Sequence, residues 1–203
     1  MESQNHDMSC TAFEGNRRIA SGELAAVALR VKKVLDRGER APVLIFNDVT
    51  SEQIEVDFRG TAEDVSKRLV KASEDASASS EGETARGRGR PKLGVVAREV
   101  TLLPRHWEWL NEQPGGASVA LRKLVEEARR TNEGKDRARR AQESAYRFLS
   151  AMAGNFPDYE EALRALFAGN AERFAELIER WPADVRDHAK NLAAAAFQAA
   201  SEA

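Results

Sequence analysis

Apolar and polar residues run in two distinct periods along the first seventy positions. Thr11 to Phe13 and Arg17 to Ala20 flank Glu14-Gly15-Asn16, which is turn chemistry between two short strands. Ser21 is placed to cap a helix whose Leu24, Val27, Ala28, Val31 and Leu35 recur at helical spacing, with Gly38 and Pro42 as its stop. Val43 to Phe46 forms a compact apolar strand. In Gln53 to Phe58, Ile54, Val56 and Phe58 alternate with Gln53, Glu55 and Asp57, the clearest two-residue period in the chain. Thr61 and Asp64 have capping-box spacing ahead of a short helix with Val65 and Leu69 inward. The order β-β-α-β-β-α predicts a small α+β domain over 9–70, one sheet face covered by the long helix and the other carrying Gln53, Glu55 and Asp57. Residues 1–8 read as a disordered tail.

Beyond residue 95 the pattern turns helical. Val95 to Leu103 is a β-prone run that stops at Pro104, well placed for the first turn of a helix through Glu112 with Trp107 and Leu110 on one side. Gln113-Pro114-Gly115-Gly116 breaks that helix, and Ser118 caps the next, where Leu121, Leu124, Val125 and Ala128 repeat. Residues 95–132 thus read as a strand-helix-helix unit. Gly134 to Arg140 reads as a charged junction. The helices after it carry the stripes Ala145/Phe148/Leu149/Met152, Tyr159/Leu163/Leu166/Phe167, Phe174/Leu177/Ile178/Trp181 and Val185/Ala189/Leu192/Ala196/Phe197. Asp158 and Glu161 suggest a second capping box, and Asn170 a further cap. Short turns join these elements into an antiparallel bundle over 133–203.

The 203 residues carry 31 Lys and Arg against 33 Asp and Glu, a net charge of −2, so any nucleic-acid contact has to be local. The single cysteine, Cys10, excludes an internal disulfide framework. With only His6, His106 and His188 beside it no metal-ligand spacing arises, so neither a metal nor a cofactor is expected. No apolar run is long enough to span a bilayer and the start lacks a signal-type core, which predicts a cytoplasmic protein without membrane contact. Glu55 and Asp57 lie two apart on a solvent-facing strand, not as a catalytic pair. No Walker-type loop, nucleophile elbow or His/Cys/carboxylate cluster is present, so no enzyme is expected.

Between the two regions, Lys71 to Ala85 contains no apolar residue larger than alanine and is expected to be disordered, the first part of an acidic-then-basic linker over 71–94. Its second part, Arg86-Gly87-Arg88-Gly89-Arg90-Pro91-Lys92, presents guanidinium forks on a slim segment suited to a narrow A·T-rich minor groove. Arg88 to Lys92 resembles the core of an AT-hook, with Gly87 where that motif has proline. The following strand-helix-helix order over 95–130 resembles a ribbon-helix-helix unit, which implies dimerisation through Val95 to Leu103 and a ribbon in the major groove. Arg98, Val100 and Leu102 share one face of that strand while Glu99, Thr101 and Leu103 share the other, so neither face is cleanly polar and a dimerisation or core strand is preferred to a ribbon in the groove. The nucleic-acid-binding residues expected are Arg86, Arg88, Arg90, Lys92, Arg98 and Arg105.

Over nearly its full length the chain resembles an uncharacterised bacterial family known as a domain of unknown function. The residues carrying this are 89–107 (GRPKLGVVAREVTLLPRHW), 114–121 (PGGASVAL), Met152-Ala153-Gly154 and Ala165-Leu166-Phe167-Ala168-Gly169. Such a resemblance implies one recurring architecture and transfers no site residue. Two functions are expected as alternatives: a dimeric DNA-binding, transcription-regulator-like protein, or a non-catalytic protein-interaction or structural module with no nucleic-acid binding. Neither identifies an effector.

Overall fold

A computed structural model describes residues 9–38, 41–80, 96 and 98–201 of the chain. It confirms the α+β class: a small antiparallel sheet near the start and a mostly helical remainder. The chain divides into two compact units, Met1–Gly82 with Gly134–Ala203, and Glu83–Glu133.

The first unit is built on strands β1 (Ser9–Glu14), β2 (Arg17–Glu23) and β3 (Val43–Asn47), in the order β2-β1-β3, all antiparallel. Gly15 makes the β1–β2 turn with φ +54°, a conformation glycine adopts without strain, and its N–H donates to the Pro42 carbonyl at 2.9 Å. The central strand β1 is buried on both faces. Cys10 and Ala12 join Ile45 of β3 in a small cluster against Val27 and Val31 of helix α1 (Leu24–Leu35). Phe13, one position out of phase with them, joins Leu44 and Phe46 in a larger cluster on the opposite side. Burial pushes the Cys10 thiol up to about 11, with Asp48 adding to the shift, so the sulfur is an inert packing group.

The larger cluster is where sequence and structure part company most. Sequence periodicity places 9–70 and 133–203 in separate domains. In the structure Phe13 and Phe46 share one core with Phe148 and Leu149 of helix α4 (Gly116–Met152), with Leu166 of α5 (Tyr159–Phe167) and Phe174 of α6 (Ala171–Leu177), and with Val185 and Ala189 of α7 (Ala183–Ser201). The sheet face expected to meet solvent instead buries aromatic rings against helices that begin about a hundred residues later.

Several local expectations are corrected. Ser21 belongs to β2, and α1 begins after Glu23, which makes no side-chain cap. Residues 53–58 do not form a fourth strand: one bridge pairs Phe46 with Gln53, and the ladder ends there. Arg68 takes the carbonyls of Asp57 and Arg59 that a continuing ladder would need, yet Ile54, Val56 and Phe58 still pack on the small cluster as their alternation implies. Helix α2 (Ala62–Ser80) runs past Lys71, where the linker was expected to begin, because extending a formed helix adds one hydrogen bond per residue fixed. The rest of that linker, with Arg86, Arg88, Arg90 and Lys92, lies outside the described residues.

Asp158 starts α5 in a left-handed conformation without a side-chain cap, so the second capping box does not form. Phe167 is 53% exposed, not inward, with its ring 5.9 Å from that of Tyr146. Other short-range signals hold. The Asp64 carboxylate accepts from Thr61 N–H at 2.9 Å while Thr61 Oγ1 accepts from Asp64 N–H at 3.3 Å, and Asn170 accepts from Arg173 N–H at 3.0 Å.

The second unit contains α3 (Pro104–Glu112) and the first part of α4. Pro104 occupies the first turn of α3 as expected, preceded by an extended Leu103. Val95 and Ala97 lie outside the described residues, and 98–103 form no strand, so the ribbon of the ribbon-helix-helix reading is absent among them. Ser118 sits inside α4, which starts at Gly116 and continues without interruption through Gly134 to Met152. The interior glycine costs about 1 kcal/mol relative to alanine. Flanking helix formers and the ion pairs Arg129–Glu126 (3.0 Å) and Arg139–Asp136 (2.9 Å) offset it.

Candidate functional site

In the second unit, Arg98 and Arg105 are both exposed, as are Arg122, Lys123, Arg129 and Arg130 on α4. Leu110 is buried, and with Leu102, Trp109, Leu121 and Leu124 it lines a groove of about 270 Å³. Trp107, expected beside Leu110, is instead exposed, because His106 occupies the groove-facing position. Val96, Val100, Leu103, Trp109, Leu124 and Val125 are also open to solvent, a dense apolar surface for so short a stretch.

The first unit contains a feature that sequence reading missed, a cleft of about 650 Å³. Helix α4 contributes Arg137, Arg140, Ala141 and Ser144, and α7 contributes His188, Asn191, Leu192 and Ala195. Both sets are spaced i, i+3, i+4, i+7, so each is a single helical stripe. The sheet supplies Thr11 from β1 and Arg18 from β2, and the loop after β3 supplies Asp48 and Val49.

That loop is held from several sides. Asn47 Oδ1 accepts from the N–H groups of Val49 (2.8 Å) and Thr50 (3.0 Å). The buried hydroxyls of Ser51 and Ser144 lie 2.8 Å apart, and Arg147 donates to the Thr50 carbonyl at 3.0 Å. Asp48 is fixed in turn: it accepts from the Ser9 hydroxyl at 2.5 Å and from the Thr11 hydroxyl at 2.7 Å. On the other side, Arg18 N–H donates to Asp184 at 2.8 Å, which ties β2 to the start of α7.

His188 is 7% exposed, with its ring 4.5 Å from Phe148 and 5.5 Å from Phe13. Its Nε2 is buried and has no hydrogen-bond partner among the described residues. Burial pulls the imidazole below its ordinary value; Asp48 opposes this and Arg18 reinforces it, so the ring is neutral near pH 7. A buried unsatisfied nitrogen costs about 1–3 kcal/mol. His188→Phe, which keeps an aromatic ring among aromatic neighbours, is therefore expected to stabilise the fold by about that amount.

The substitution also changes the acid limb of stability. The unfolded histidine binds its proton near 6.5 and the folded one only at lower pH. Within that window the unfolded chain holds more protons, so stability falls as pH drops through it and levels off below the folded value. Urea titrations at pH 7.5 and 5.5 check this: the wild type loses more than His188→Phe, and equal losses would refute the assignment.

In the sequence His188 is one of three scattered histidines, and Arg137 and Arg140 fall in the charged junction. The α7 repeat His188/Asn191/Leu192/Ala195 was the available signal, visible only once α4 is recognised as continuous. Among the described residues no three His, Cys, Asp or Glu side chains are grouped to hold a metal ion, and no helix is long and apolar enough to cross a membrane.

No curated protein and no solved structure matches the chain. A family model described as "uncharacterized protein conserved in bacteria", DUF2239, does match, and it covers residues 9–193. That span takes in both units, every strand, the helices through most of α7 and all the residues lining the cleft except Ala195. The chain belongs to the DUF2239 family of conserved bacterial proteins.

Proposed function

We propose that the protein is a non-catalytic DNA-binding regulator of the bacterial cytoplasm that contacts DNA through residues 86–130. The observation carrying this reading is segregation of charge: that stretch holds ten basic and five acidic side chains in a chain whose net charge is −2. Arg86, Arg88, Arg90 and Lys92 supply an AT-hook-like arm for the minor groove. The exposed Arg98, Arg105, Arg122 and Lys123 add phosphate contacts. A β-ribbon in the major groove is no part of the reading, since 98–103 form no strand.

Mobility shifts on an A·T-rich duplex test it. Affinity is expected to fall steeply with salt, because each neutralised phosphate releases condensed counterions, and Arg88→Ala with Arg90→Ala is expected to weaken binding roughly tenfold. A wild-type protein that leaves the duplex unshifted at physiological salt ends this reading.

The exposed apolar residues between Val96 and Val125 favour a second reading, in which the unit is an interaction module whose partner is a second copy of the chain, met partly through 95–103. Sedimentation across a hundredfold range of concentration tests it. A monomer throughout removes the second reading and leaves the first untouched.

A further inference from the structure

We propose that two copies of the chain associate through α4 in one arrangement: the helices lie antiparallel, with a two-fold axis passing between Leu124 and Val125. This geometry rests on the second reading above, that the partner of the second unit is a second copy, and goes on to say how the copies meet.

The second unit has little interior of its own. Among its described residues only Leu110 and Ala120 are buried hydrophobics, whereas seven large ones between Val96 and Val125 are exposed. Helices in proteins owe most of their stability to the packing of an apolar face, so an α3–α4 hairpin with two buried side chains is incomplete alone. Leu121 and Leu124 line the groove with Trp109 and Leu110 of α3, and Val125 and Ala128 continue the same α4 stripe into solvent. A second hairpin laid against that stripe makes a four-helix arrangement and covers it.

Charge identifies the occupant and sets its direction. Arg122 and Lys123 precede the exposed pair Leu124-Val125, and Glu126 and Glu127 follow it. When the helix is reversed about the midpoint of that pair, Arg122 and Lys123 of each copy stand level with Glu127 and Glu126 of the other. A parallel pair would instead set Arg122 beside Arg122 and Glu126 beside Glu126. The segment is complementary to itself only when reversed, which a two-fold axis across the helix requires. The surplus cations fit as well: Arg129 and Arg130 stand level with Ala120 and Val119 of the other copy, so they oppose no like charge.

Two of these groups have contacts within the helix. Glu126 pairs with Arg129 at 3.0 Å and Arg130 at 3.6 Å, and Arg122 donates to the Ser118 carbonyl at 3.0 Å. All three arginines are exposed, and ion pairs in water are weak. A carboxylate also accepts from more than one donor, so neither contact prevents the pairing. The extent of the overlap is a separate observation. An antiparallel pair centred between 124 and 125 overlaps α4 over 116–133, from the first residue of the helix to the last of the second unit. The arrangement withdraws Arg122 and Lys123 from phosphate and leaves that role to basic residues in 86–105.

Sedimentation of full-length charge variants tests it. The wild type is expected to dimerise. Arg122→Glu with Lys123→Glu makes the patch acidic throughout, and Glu126→Lys with Glu127→Lys makes it basic throughout, so each variant alone should self-associate at least tenfold more weakly. All four substitutions exchange strong helix formers for one another. An equimolar mixture of the two variants should recover the dimer as a mixed species, because the acidic patch then faces the basic one, and combining all four substitutions in one chain should restore the homodimer. Arg180→Glu, exposed on the first unit, should leave self-association unchanged.

A wild type that stays monomeric overturns both this geometry and the reading beneath it, whether the stripe is covered by its own chain or by another protein. A wild-type dimer that neither charge variant weakens, or a mixture that fails to recover it, overturns the antiparallel geometry alone and leaves the second copy as partner. Weakening by Arg180→Glu equal to that of the α4 variants also overturns the geometry, since net charge would then be the cause.

Discussion

Phe148→Ala is expected to destabilise the first unit by about 3–5 kcal/mol, the range for truncating a fully buried phenylalanine. The ring is 0% exposed and lies 5.5 Å from Phe13 and 5.2 Å from Phe46, so the void would open where the sheet meets the helices. Loss should therefore be felt on both sides. Hydrogen exchange on the amides of β1 and of α7 measures it, and both sets should lose protection by a similar free energy, because one core serves them. Phe167→Ala is the control. With half its surface already in water, its loss should stay within about 1 kcal/mol. If Phe148→Ala leaves β1 protection intact while α7 loosens, the sheet and the bundle are independent and the shared core is wrong.

What could be read beforehand divides along the reach of the interactions involved. The Thr61–Asp64 box, the Asn170 cap and Pro104 in the first turn each depend on residues within about one helical turn, and all are found. Burial of Ile54, Val56 and Phe58 was legible from alternation, since a pleated or merely extended chain puts every second side chain on one side. Whether that segment would also pair was not legible, because the answer lay with Arg68, on a helix that follows it. Thr11 and Glu14 show the same limit: polar in sequence, they are buried on a central strand whose far face is covered by distant helices.

The cleft is the extreme case. It joins positions 11, 18 and 48 with 137–144 and 188–195, and no window of sequence contains two of its walls. His188 gave no signal of its own because the rings that bury it, Phe13 and Phe148, and the charges that act on it, Asp48 and Arg18, all stand far earlier in the chain. Residue chemistry was visible throughout. Convergence was not, since it is a property of the core that brings the elements together.

Gly134→Pro is expected to cost about 3 kcal/mol or more and to reduce helical ellipticity. In the sequence, Gly134 opens a charged junction between two helices, and a proline at such a place would be nearly silent. In the structure it is an interior residue of a 37-residue helix. Proline there removes the N–H that bonds to the carbonyl four residues earlier and sets its ring against that same carbonyl. Gly134→Ala should act in the opposite direction, gaining about 0.5–1 kcal/mol by reducing the freedom of the unfolded chain. The opposed signs matter more than either magnitude. A loop that needed glycine would be harmed by alanine, and a loop that tolerated any backbone would absorb proline. Only a continuous helix is strengthened by one and broken by the other. The pair therefore also tests the cleft, because Arg137, Arg140, Ala141 and Ser144 form one stripe only while α4 keeps its helical phase through and beyond Gly134. Arg137 and Arg140 lie within two turns of the substitution, so the proline variant should lose that stripe along with its helicity, and the alanine variant should keep both.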